Sequence, residues 1–160
     1  MSKSTSCAIR LRFRSSVKSS VGGALEEPRT STVALRFARE PRGITFGAFI
    51  DGNRNGVRAR DILAGLDRPV EAPVLLADIF PGVAIALSAG LGGDAALQLG
   101  GSDLLSFTPS GTATSGSVYI RGPDGSQFAV RVLGATGRAR VLQYDDVARG
   151  RVRVRGSRTR

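Results

Sequence analysis

A chain of 160 residues and 16.7 kDa suits one domain with extensions and is large enough to bury a core without disulfide or metal staples. The absence of His excludes Ser-His-Asp and Cys-His catalysis and His-ligated zinc, and the single cysteine, Cys7, supplies neither an intrachain disulfide nor a multi-thiolate metal site. The net charge of +10 sits at the ends: residues 1–20 hold Lys3, Arg10, Arg12, Arg14 and Lys18 and no acid, residues 149–160 hold six arginines and no acid, and the middle carries 12 basic and 13 acidic residues. A near-neutral body with two cationic ends fits anion-seeking arms, and it equally fits solvated termini.

Residues 1–30 form a basic N-terminal extension. Its opening, MSKSTSCAIRLRFRSS, lacks the apolar core of a secretory signal and has the Arg/Ser-rich, acid-free character of a transit peptide. Ile9, Leu11 and Phe13 alternate with arginines there, and Val17 to Glu27 is ambiguous between helix and loop. From Ser31 onward the pattern is almost all strand. Alternating or β-rich runs cover Ser31 to Phe37, Gly43 to Ile50, Val74 to Ile79, Val83 to Leu87, Ala95 to Leu99, Leu104 to Thr108, Ser117 to Arg121, Gln127 to Leu133 and Arg138 to Gln143. Turn signals punctuate them: GNRNG at 52–56, PG at 81, GG at 92 and 100, PSG at 109 and GPDGS at 122. Gly116 to Leu133 reads as a hairpin, with Val118 and Ile120 on one face and Phe128, Val130 and Val132 returning beside them. Ala59 to Gly65 has room for two helical turns. The uncharged run Ile79 to Gly93 is too short and too broken by Pro81 and glycines to span a bilayer, which takes about 20 apolar residues. The chain therefore reads as a soluble, mainly β, antiparallel two-sheet sandwich. Residues 144–160 form an Arg-rich tail, with Arg149, Arg151, Arg153 and Arg155 at alternate positions; an extended arm and a charged edge strand are both open readings.

Asp51-Gly-Asn53-Arg-Asn55-Gly56 opens like a calcium loop, in which side-chain oxygens at alternate positions face one centre. Its second half does not follow: the ninth position is Ala59, the twelfth Ile62, and Arg54 and Arg58 bring positive charge beside it. Asp61 is the one partial substitute, so a structural Asx-rich turn is favoured over a metal site. Glu26-Glu27 and Asp145-Asp146 are adjacent in sequence, which turns strand carboxylates to opposite faces, and no glycine-rich loop combines with Lys and Ser/Thr as a phosphate cradle. No catalytic constellation is present, and neither a cofactor nor an enzymatic activity is expected.

The ordered set Thr32-Val-Ala-Leu-Arg-Phe37, Phe49-Ile-Asp51-Gly-Asn-Arg-Asn55-Gly56 through Asp61-Ile-Leu63, Phe107-Thr-Pro109-Ser-Gly111, Gly116-Ser-Val-Tyr-Ile120 and Val130 through Gly137-Arg138-Ala-Arg140-Val141 resembles the soluble domain of the GspH/FimT-type pseudopilins. These are minor subunits of bacterial type II secretion pseudopili and type IV pili, and the likeness covers residues 31–143. The resemblance implies a mainly β pseudopilin-like sandwich (α+β in the full family, where two sheets pack on a long N-terminal helix). It also implies a non-enzymatic role, other pseudopilins or pilins as partners, and a place on the periplasmic face of the bacterial inner membrane. Residues 1–30 do not carry the family's basic leader, G-F-T-L-x-E run and long apolar helix, so no signal, anchor or membrane span is expected of this chain. In pilus-type members a G-R-x-R element near the C-terminus is associated with DNA binding. Gly137, Arg138 and Arg140 match it, which makes a nucleic-acid-binding module the alternative reading, with Arg138, Arg140, Arg151, Arg153 and Arg155 as its contacts.

Overall fold

The computed structural model describes residues 31–87, 93–145 and 153–156, with the backbone alone at 93–94, 145 and 153–156. Eleven strands are present among them: β1 (Val33–Glu40), β2 (Gly43–Ile50), β3 (Arg68–Pro69), β4 (Val74–Leu75), β5 (Ala84–Ile85), β6 (Leu97–Gln98), β7 (Leu104–Phe107), β8 (Gly116–Arg121), β9 (Gln127–Leu133), β10 (Arg138–Asp145) and β11 (Arg153–Gly156). Two short helices, α1 (Ala59–Leu63) and α2 (Leu76–Ile79), complete the regular structure with two 3₁₀ turns, Gly93–Ala96 and Gly134–Thr136. One sheet has the order β3-β2-β1-β7, with β4 also on β2; the other runs β11-β10-β9-β8-β5, with β6 also on β8. Every pairing is antiparallel. The mainly β, two-sheet expectation holds, and the helices are too short to change it.

The two sheets bury one core. Leu35 and Phe37 of β1, Phe46 and Ala48 of β2 and Leu105 of β7 meet Val118, Ile120, Phe128, Val130 and Val132 of the second sheet. Each set lies at alternate positions along its strand, so the period-2 pattern alone turns it inward. The Gly116 to Leu133 hairpin is in the expected register, Val118 opposite Val130 and Ile120 opposite Phe128. Its GPDG turn closes through Gly122 N–H to the Ser126 carbonyl at 2.8 Å and Ser126 N–H to Asp124 Oδ1 at 3.0 Å. A second, smaller cluster of Ala34, Phe49, Val57 and Leu104, with Ile62 against it, lies on the other face of the first sheet. Residues 51–67 fold back over that face to make it.

Three of the expected strands are corrected, and of these Val83 to Leu87 is strand only at Ala84 and Ile85. Val74 to Ile79 is strand only for Val74 and Leu75; Leu76 then begins α2, with Phe80 N–H bonded to the Leu76 carbonyl at 2.9 Å and Leu76 buried in the core. Leu, Ala and Asp in one turn, with Pro81 behind, favour that stop over a longer strand. Ala95 to Leu99 begins as the 3₁₀ turn and is strand only at Leu97 and Gln98. Two elements had no counterpart in the sequence reading: β3, of two residues, and the tight β1–β2 connection through Pro41 and Arg42, where Glu40 is opposite Gly43. Ala59 to Gly65 supplies the helix α1 over five residues. The ambiguous stretch Val17 to Glu27 and the alternating Ile9, Leu11 and Phe13 lie outside the described residues, and no helix among the described ones is long and apolar enough to cross a membrane.

Candidate functional site

The β9–β10 hairpin sets the position of the G-R-x-R residues. Val130 and Val132 point into the core, so Arg131 between them faces out. Ladder register then puts Arg140 directly opposite Arg131 and Arg138 opposite Leu133, with Arg131, Arg138 and Arg140 all exposed. Like charges directly opposite in an antiparallel pair destabilise it. The ion pairs among the described residues, Arg39 with Asp103, Arg42 with Asp78 and Arg60 with Asp61, leave these three arginines without a carboxylate. Among the described residues, the face thus gathers cationic charge that no ion pair offsets.

Gly137 turns the chain into β10 with φ at +59°, and a Cβ there would stand 2.8 Å from the Gly111 carbonyl oxygen, so the position demands glycine on both counts. Ala113 N–H donates to the Gly134 carbonyl at 2.7 Å, and Gly134 N–H to Ser115 Oγ at 3.0 Å. The F-x-P-x-G and G-R-x-R segments therefore meet, and the contact fixes where Arg138 leaves the turn. Tyr119 and Tyr144 adjoin the arginines on the same face, ring centroids 6.4 Å apart and planes at 37°. Burial pushes the Tyr144 phenol above its ordinary value, the Tyr119 hydroxyl adds to that, and the Arg131 charge opposes it. Both rings are half-buried.

Of the five predicted arginines, Arg138 and Arg140 share one face of β10. Arg153 and Arg155 occupy β11 opposite Asp145 and Gln143, register positions out of phase with Arg138 and Arg140. Arg151 lies outside the described residues. The edge-strand reading is thereby the one that applies at residues 153–156. Arg131, Tyr119 and Tyr144 were missed, although the alternation of the predicted hairpin already placed Arg131 on the face away from Val130 and Val132.

The Asp51 loop is closed by its own backbone. Asp51 accepts from Asn55 N–H at 3.3 Å and Gly56 N–H at 2.8 Å, and Asp67, from the far end of the lobe, accepts from Gly52 N–H at 3.1 Å and Arg58 N–H at 2.9 Å. Asp61 takes the Asn53 amide at 3.5 Å and the Arg60 guanidinium at 3.3 Å. Burial pushes the Asp61 carboxyl up, but hydrogen bonds from Asn55 and Asn53 and the charges of Arg60 and Arg58 outweigh it and hold it below the usual range. All three carboxylates are buried. Their oxygens accept from N–H groups of the lobe, which gives each carboxylate a structural role. Asp67 was missed because no local motif joins it to Asp51; only the folded lobe does. No group of three or more potential metal-ligating side chains occurs among the described residues.

No family model matches the chain, and searches of curated proteins and of solved structures likewise find no match.

Proposed function

We propose that the chain is a non-enzymatic, pseudopilin-like minor subunit that works through protein contacts in a secretion or pilus assembly. The observation that carries this reading is the meeting of the Phe107–Gly111 and Gly137–Arg140 segments, where Gly137 abuts the Gly111 carbonyl. Two of the motif pieces behind the resemblance are thus one structural unit, and a third, the Asp51 loop, forms the lobe that covers the outer face of the first sheet. The test is surface plasmon resonance of the purified chain against immobilised soluble domains of the major and minor pseudopilins and pilins of the source organism. Saturable binding to at least one of them is expected; no binding to any would overturn the reading.

A second reading, contact with the DNA phosphate backbone, is favoured by one specific observation: the exposed face of Arg131, Arg138 and Arg140, which no ion pair among the described residues offsets. Guanidinium forks bind phosphate oxygens and stay charged at any physiological pH. Three such contacts give a slope of log K against log salt of about −2.7, at roughly 0.9 counterions released per phosphate. Replacing Arg138 and Arg140 with Ala flattens the slope by about two and weakens all sequences alike. An unchanged slope in that variant, with binding abolished by deletion of residues 149–160, would reduce the element to a turn beside a cationic tail.

A further inference from the structure

Strand β10 is paired unequally on its two sides. β9 accompanies it from Arg138 to Tyr144, whereas β11 accompanies it only from Leu142 to Asp145 and has reached Gly156 opposite Leu142. Among the described residues nothing pairs with the second side of Arg138 to Val141. Ladder alternation tells which backbone groups are left there. Gly122 N–H donates to the Ser126 carbonyl, so Phe128, Val130 and Val132 direct their backbone groups to β8, and Gln127, Ala129, Arg131 and Leu133 direct theirs to β10. Arg138 and Arg140 are accordingly bonded to Leu133 and Arg131, while Ala139 and Val141 turn N–H and C=O to the open edge. An edge of this kind is a template for another strand.

The chain runs on from Gly156 as Ser157-Arg158-Thr159-Arg160, outside the described residues. Extending the β10–β11 register by these residues sets Ser157 opposite Val141, Arg158 opposite Arg140, Thr159 opposite Ala139 and Arg160 opposite Arg138. Arg158 then stands in one row with Arg140 and Arg131. Three arginines side by side at the strand spacing of about 4.8 Å repel one another, so the pairing calls for an anion along the row. The period of two also sorts the arginines of the tail. Arg153 and Arg155 are opposite Asp145 and Gln143, positions of the other face.

We infer that residues 157–160 add to the open edge of β10 when its arginine face meets a nucleic-acid phosphate backbone, bringing Arg158 and Arg160 into line with Arg140 and Arg138. The inference rests on the phosphate-contact reading above and names two further contact residues for it. The tail is favoured over a second molecule because it already lies beside this edge in register, and its continuation loses no translational freedom.

The test is binding of the full chain to a short duplex DNA at rising salt. Five phosphate contacts give a slope of log K against log salt of about −4.5, against about −2.7 for Arg131, Arg138 and Arg140 alone. Arg158→Ser with Arg160→Ser should flatten the slope by about two, and Arg153→Ser with Arg155→Ser should leave it unchanged. Thr159→Pro keeps every charge but removes the N–H that faces the Ala139 carbonyl, and should flatten the slope toward −2.7. Amide exchange at Ala139 and Val141 should slow on adding DNA in the wild type and not in Thr159→Pro. Equal flattening by the two tail pairs, or an unchanged slope and unchanged amide protection in Thr159→Pro, would overturn the inference. If Arg138→Ala with Arg140→Ala still flattens the slope in that case, the phosphate reading stands without it; if DNA does not bind at all, both fall. Dimers that protect Ala139 and Val141 without DNA would assign the edge to a second copy and also overturn it.

Discussion

Replacing Asp67 with Ala is the sharpest probe of the lobe. Asp67 is 1% exposed, and its two oxygens hold the Gly52 and Arg58 N–H groups at 3.1 and 2.9 Å, which ties the start of the lobe to its end across fifteen residues. A hydrogen bond to a charged acceptor is worth about 1.5–3 kcal/mol net. Gly52 and Arg58 are themselves exposed, so water relieves part of the loss and the lower figure applies to each bond, about 3 kcal/mol for the pair. At about 3 °C per kcal/mol for a chain of this size, Tm falls by roughly 9 °C. Asp67→Asn keeps one acceptor oxygen and should lose about half as much. Far-UV circular dichroism melts at pH 7 read the difference, with Asp103→Ala as the surface control, whose exposed pair is worth under about 1 kcal/mol. A fall in Tm for Asp67→Ala no larger than that of Asp103→Ala would refute the account of the lobe as clamped by a buried carboxylate.

Gly137→Ala forces a side chain into the left-handed region and against the Gly111 carbonyl, and should cost about 1–3 kcal/mol in denaturant unfolding, whereas Gly101→Ala, where nothing approaches, should cost far less. The folded Asp61 carboxyl titrates below its unfolded value, so its stabilisation is complete above the ordinary carboxylate range and is lost as pH falls through the folded value. The melting difference between wild type and Asp61→Asn should therefore be present at pH 7 and shrink toward pH 3, and a constant difference would contradict that cause. Melts with calcium and with a chelator should share one midpoint, because the N–H groups of the lobe already hold the carboxylates and no twelfth-position carboxylate completes the loop.

Where the sequence was legible, local pattern sufficed. Gly43 to Ile50 and Gln127 to Leu133 match β2 and β9 residue for residue, since their core residues Phe46 and Ala48, and Phe128, Val130 and Val132, alternate in sequence and turn residues bound them, although burial covers both faces along part of each strand. It was least legible where a short apolar run serves two periods at once. Val74 to Ile79 alternates acceptably as a strand, but Leu76 and Phe80 also suit one helical turn, and the bond between them decided it. The candidate site divides the same way. Gly137, Arg138 and Arg140 stood out as a motif, and the hairpin alternation implied an outward Arg131. The opposition of Arg131 to Arg140 depends on the register across the Gly134–Thr136 turn, which no local signal specifies. Asp67 and the joining of Gly111 to Gly137 are tertiary facts: each brings together segments that are separate in sequence.

The most direct test of the central claim is an in-frame deletion of the coding gene in the source organism, with type II secretion and pilus assembly measured beside complemented strains. The account predicts loss of one of the two, restored by the wild-type gene and not by one carrying Gly137→Arg, which breaks the contact with Gly111. Full secretion and full piliation in the deletion strain would contradict it.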